Sequence, residues 1–150
     1  MAGIRPLPPR TATDAYLAEI GETLDIEFDV DLGELVEGHR VVARGILNLP
    51  GGAELHYELV PGWDSAAAPT GWAVSAHDDA GTDYGGVSGG ALDPPGGDGT
   101  ATHGIRDLGG PIPADANVLT LEVTLDRPLT GYTKRLVVEL TTGALTEERA

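Results

Sequence analysis

The densest set of groups able to do chemistry runs from Asp78 to Asp98, where Asp78, Asp79 and Asp83 are followed by Asp93 and Asp98. Several carboxylate oxygens on one loop are what a hard cation such as Ca2+ requires. The spacing matches no dedicated calcium loop, and Asp78-Asp79-Ala80-Gly81 has a simpler reading as a tight turn. Asp side chains there accept hydrogen bonds from amides just ahead of them, and Gly81 supplies a positive φ. Turn formation takes precedence over Ca2+ binding, so no metal ligand is assigned.

His39, His56, His77 and His103 fall on separate segments, so any histidine site must be assembled by the fold. Only His77 has an acid beside it in sequence, Asp78, and the pattern places all four histidines at surfaces or hairpin edges. Among Ser65, Ser75 and Ser88 none stands in a G-x-S-x-G elbow, and the glycines around Ser88 lead into no helix and no lysine, as a phosphate cradle would require. Carboxylates are too abundant for any pair to stand out as acid and base. The sequence therefore assigns no catalytic residue, no cofactor-binding residue and no cofactor. Trp63, Trp72, Tyr57, Tyr84 and Tyr132 would make a sugar platform if several faced solvent together, but Tyr57 and Trp72 occupy inward-type positions and read as core.

The net charge of −15 over 150 residues argues against nucleic acid or an anionic membrane as partner, since both need a basic patch. From Gly45 to Ile105 there is no Lys or Arg, so no basic groove can form there. The absence of cysteine excludes disulfides and thiolate chemistry. Met1 to Arg10 carries prolines and arginines without an apolar run, which reads as neither signal peptide nor membrane anchor; the expectation is a cytoplasmic protein, although a mature exported form would read alike.

The elements that must position these residues are mostly strands. Residues 1–12 read as a flexible tail, 13–142 as a single domain and 143–150 as a second flexible tail. Asp14 to Ile20 reads as a short helix ended by Gly21. Leu24, Ile26, Phe28, Val30 and Leu32 alternate with Asp25, Glu27, Asp29 and Asp31, a strand with one apolar and one acidic face. The acidic face suits either an edge protected against aggregation or a surface for a basic partner, with edge protection or plain solvation favoured. Arg40 to Leu49 and Ala53 to Val60 read as a hairpin around Pro50-Gly51-Gly52. In its first strand Val41, Ala43, Leu47 and Leu49 share one face, and Arg40, Val42, Arg44 and Ile46 the other. Trp72, Val74 and Ala76 start a second hairpin that turns at Asp78 to Gly81 and returns through Thr82 and Tyr84. The segment 85–110 is a long glycine-rich loop with one short strand near Thr100 to Ile105, and Val118 to Leu125 and Tyr132 to Thr142 close the domain.

Six or seven short strands with turns between them predict an all-β fold of two antiparallel sheets face to face, with a small β-barrel or jelly roll as the alternative. The stretch Leu24 to Thr142 resembles immunoglobulin-like β-sandwiches. Trp72 followed by Asp78-Asp79-Ala80-Gly81-Thr82-Asp83-Tyr84 is similar to a pattern in uncharacterised bacterial sandwiches. The cysteine pair of true immunoglobulin domains is absent, so the resemblance implies shape only. The functional expectation is a non-enzymatic module acting through protein contacts, with a protein partner or a second copy of the chain. A cation- or carbohydrate-binding module using the Asp78 to Asp98 loop is the alternative.

Overall fold

A computed structural model describes residues 11–34, 38–60, 62, 72–84, 90–92, 101–125 and 133–149. Among these the chain forms one helix, α1 (Thr11–Ile20), and nine strands: β1 (Ile26–Asp31), β2 (Arg40–Leu49), β3 (Gly52–Val60), β4 (Trp72–Asp78), β5 (Gly90–Leu92), β6 (Thr102–Asp107), β7 (Val118–Leu125), β8 (Thr133–Glu139) and β9 (Leu145–Arg149). They make a five-stranded sheet in the order β1-β2-β3-β6-β5 and a four-stranded sheet in the order β4-β7-β8-β9. Every pairing is antiparallel. The protein is thus an all-β, two-sheet sandwich. No helix among the described residues is long and apolar enough to cross a membrane.

The period-two segments face each other across the interior. Leu55, Tyr57 and Leu59 of β3 meet Leu119, Leu121 and Val123 of β7 and Leu136 and Val138 of β8 in one buried cluster, which Trp72, Val74 and Tyr84 complete. Tyr57 and Trp72 pack edge to face with ring centroids 5.0 Å apart, and the Arg106 guanidinium lies 4.1 Å from the Trp72 ring centre. A cation over the indole face is drawn to the ring quadrupole. These aromatics are core, and they offer no platform to a sugar.

Three expectations need correction. Ile46, which simple alternation puts on the Arg44 face, packs in the interior opposite Leu55. The cause is a β-bulge: Ala43 pairs with Tyr57 and Gly45 with His56, so Arg44 is an extra residue and the alternation inverts after it. Gly45 has φ +153°, and a Cβ there would run into the Ile26 carbonyl oxygen, so only glycine fits.

The second correction concerns the hairpin from Trp72. Residues 81–84 are irregular, and β4 takes its partner from β7, with Trp72 opposite Leu125 and Asp78 opposite Leu119. The amides that would have begun a return ladder are held by the Asp78 side chain instead. Third, Leu145–Arg149, read as part of a flexible tail, pairs with β8 as a ninth strand. Its turn is closed by Gly143, at φ +78°, whose amide donates to the Glu139 carbonyl. The connector with Trp63 and Ser65, the Val87-Ser88-Gly89 stretch, Asp93, Asp98 and Tyr132 lie outside the described residues.

Candidate functional site

The fold gathers ionisable side chains beneath α1, on the outer face of the five-stranded sheet. On β3, residues 54, 56 and 58 alternate with the core residues and therefore point away from the interior. On β6, His103 lies opposite Glu58 and joins the same face. Arg44 reaches that face because the Gly45 bulge places it there. Gly21, at φ +72°, ends α1, and the chain enters β1 five residues later. So short a connection lays the helix across this face, with contacts to β3 and β6.

The resulting layer is buried. Arg44 is 2% exposed, and Glu58 and His56 are each 0% exposed. The Arg44 Nη2 donates to Glu58 Oε1 at 2.9 Å, and its Nη1 donates to Asp29 Oδ1 at 2.9 Å. Glu58 Oε2 accepts from both the backbone amide of Thr13, at 3.1 Å, and the Thr13 hydroxyl, at 2.6 Å. One carboxylate thereby holds the first turn of α1, where a helix has amides in need of partners and favours negative charge. Beside it His56 Nδ1 and His103 Nε2 share a hydrogen bond of 2.8 Å, and His56 Nε2 meets Glu54 Oε1 at 3.3 Å. Tyr16 of α1 stacks on His103 with centroids 4.4 Å apart, and Leu17 is buried one residue on.

Burial shifts the two histidines and Glu54. It lowers His56 to about 4, with the His103 imidazole adding a smaller repulsion, and lowers His103 to about 4. Both rings are therefore neutral near pH 7, one donating and one accepting in the bond between them. Glu54 is raised, first by burial and then by the Asp107 carboxylate. The expectation of surface histidines fails for His56 and His103, because α1 covers the strands that carry them. His77 is exposed on β4, its Nδ1 3.8 Å from Glu122 Oε1 on β7, while its sequence neighbour Asp78 faces the other way.

The acidic stretch after β4 is a turn. Asp78 Oδ1 accepts from the amides of Ala80 and Thr82, at 2.9 and 3.1 Å, and Oδ2 accepts from the Tyr84 hydroxyl at 2.7 Å. Desolvation alone would raise this carboxyl, but the hydrogen bonds from Thr82, Tyr84 and the two amides outweigh it and hold it at about 2. Asp79 Oδ1 accepts from the amides of Asn117 and Val118, tying the turn to the start of β7. Both carboxylates are committed to donors of the chain itself, which leaves exposed Asp83 as the remaining described member of the cluster. Among the described residues no group of three or more His, Asp or Glu is placed to hold a metal ion.

On β1, Asp31 pairs with Arg40 at 2.8 Å as Asp29 does with Arg44, and just before the strand Asp25 Oδ2 accepts from the Asn48 amide at 2.7 Å. The acidic face thus lies on an edge strand and is partly neutralised by its own neighbour, β2. Comparison with family models, curated proteins and solved structures returns no match to this chain. The functional reading rests on its residues.

Proposed function

We propose that the protein is a non-enzymatic, immunoglobulin-like β-sandwich that acts through protein contacts, as a subunit or accessory module of an assembly. The observation that carries this reading is how the acid–base groups of the outer layer are used. Glu58 is engaged with Arg44 and with the first turn of α1, and His56 with His103 and Glu54. Groups bound to one another inside a packed face fix a helix on a sheet, which is a structural task. The immunoglobulin-like part of the reading is supported by strand order. With β2, β3, β4, β5, β6, β7 and β8 lettered A to G, the sheets run A-B-E-D and C-F-G, the arrangement of seven-stranded constant-type domains. β1 and β9 then extend the two sheets beside A and G, and Trp72 falls on strand C.

The test is light scattering of the purified protein, alone and after incubation with lysate of its host. Retention of a defined protein, or self-association, is the expected result. A monomer that retains nothing overturns the reading.

A further inference from the structure

Among the described residues the two sheets have four lateral edges, β1 and β5 on one and β4 and β9 on the other. An edge strand presents unpaired amides and carbonyls that template pairing with another chain unless something blunts it. β1 carries Glu27, Asp29 and Asp31 and a register irregularity. β5 is three residues long, and β9 carries Glu147, Glu148 and Arg149 within five residues. β4 differs from β1 and β9 in charge and from β5 in length, with seven residues against three. From Trp72 to Ala76 it has no charge and no proline, and its ladder with β7 runs without a bulge.

The register defines which groups the β4 edge offers. The Asp79 amide donates to the Val118 carbonyl as the β4–β7 ladder ends. Stepping back in twos, Ala73, Ser75 and His77 direct their main-chain groups at β7, and Trp72, Val74, Ala76 and Asp78 direct theirs outward. An antiparallel copy centred on Ser75 would set Val74 against Ala76 and Trp72 against Asp78 as hydrogen-bonded pairs. On the solvent side Ser75 would face its own counterpart and His77 would face Ala73, so no like charges oppose one another. For a chain of net charge −15, this is, among the described edges longer than three residues, the one on which a second copy meets the least repulsion.

We propose that β4 is the edge through which two copies of this chain pair, antiparallel about a two-fold axis at Ser75, to join two four-stranded sheets into one of eight. This rests on the protein-contact reading above and names the partner. Pairing of this kind is isologous and closed, giving a dimer and no longer array.

The sequence contains no cysteine, so a single introduced thiol is an unambiguous probe. Under a mild oxidant Ser75→Cys should form a covalent dimer, Ala73→Cys and His77→Cys should each stay largely uncrosslinked, and the latter two mixed should crosslink with each other. Wild type should double its scattering mass as salt screens the net charge. Ser75→Lys should remain monomeric with an unchanged melting midpoint. The proposal is overturned if wild type stays monomeric at millimolar concentration and high salt, or if the three cysteine variants crosslink alike. Retention of a host protein by wild type and Ser75→Lys equally, with neither dimerising, would leave the module reading standing and remove the β4 pairing. Retention lost in Ser75→Lys from a monomeric wild type would assign the edge to a different protein, and so also overturn pairing between copies.

Discussion

The turn at Asp78 and the layer beneath α1 are both built on carboxylates that accept backbone amides, yet they are held in opposite ways. Asp78 works within its own neighbourhood, since its donors Ala80, Thr82 and Tyr84 are at most six residues away. Glu58 works at long range, reaching 14 residues back to Arg44 and 45 back to Thr13. The turn stands in water, where losing a hydrogen bond is cushioned by solvent, and the layer is sealed, where losing one leaves a buried charge. The contrast teaches that similar bonds have very different consequences according to whether water can replace them.

Among the substitutions, removing Glu58 should have the largest effect. Glu58→Ala takes from buried Arg44 its buried ion-pair partner, leaving it the half-exposed Asp29, and frees the first turn of α1, and should cost about 3–5 kcal/mol in urea unfolding. Amide exchange in residues 11–20 should accelerate more than in β7. A loss below about 1 kcal/mol would mean that the layer does not hold the helix.

Acid should act on the same layer through His56 and His103. Their folded values of about 4 lie below the ordinary 6.5, so the unfolded chain binds more protons across that interval. Stability is therefore greatest above about pH 6.5 and declines as pH falls toward 4, by up to about 1.4 kcal/mol per pH unit for each ring. Below about 4 the decline from these rings levels off. Unfolding free energies across this range, compared between wild type and the His56→Phe/His103→Phe pair, check the slope, which should flatten in the variant.

Asp78→Ala should cost less, about 1–2 kcal/mol, because solvent takes over part of what the carboxylate does. The sign of its titration follows the usual carboxylate case. Its folded value of about 2 lies below the ordinary 3.8, so its contribution is present above pH 3.8 and is lost as pH falls through 2. Tyr84→Phe should cost least, about 1 kcal/mol, while moving the Asp78 titration, followed by NMR, upward. If both changes proved as costly as Glu58→Ala, the distinction between the two clusters would collapse.

Local patterns were readable in advance and distant convergence was not. The alternation in Leu24 to Leu32, the β2–β3 hairpin and the Asp78 turn each declare themselves within a few residues, as do the inward positions of Leu119, Leu121, Leu136 and Val138. The outer layer depends on which sheet face α1 covers, and β3 reads as half-exposed until that is known. The one local hint was the helix itself: Thr13, Tyr16 and Leu17 stand at the three- and four-residue spacing of a single helical face. The exchange of β4's partner from the following residues to β7 was hidden because an Asp-rich turn with glycine fits a hairpin and a sheet crossing equally well.

The offset at Gly45 also bears on how the chain avoids folding wrongly. A hairpin zipped straight from the Pro50–Gly51 turn would bring Arg44 opposite Tyr57, directing a guanidinium into the oily interior and Ala43 and Val41 out of it. That competitor is penalised chiefly at Arg44, because sliding by one position exchanges the two faces past the offset. Quality control of the first sheet is thereby written into one arginine, which is welcome on only one side of it.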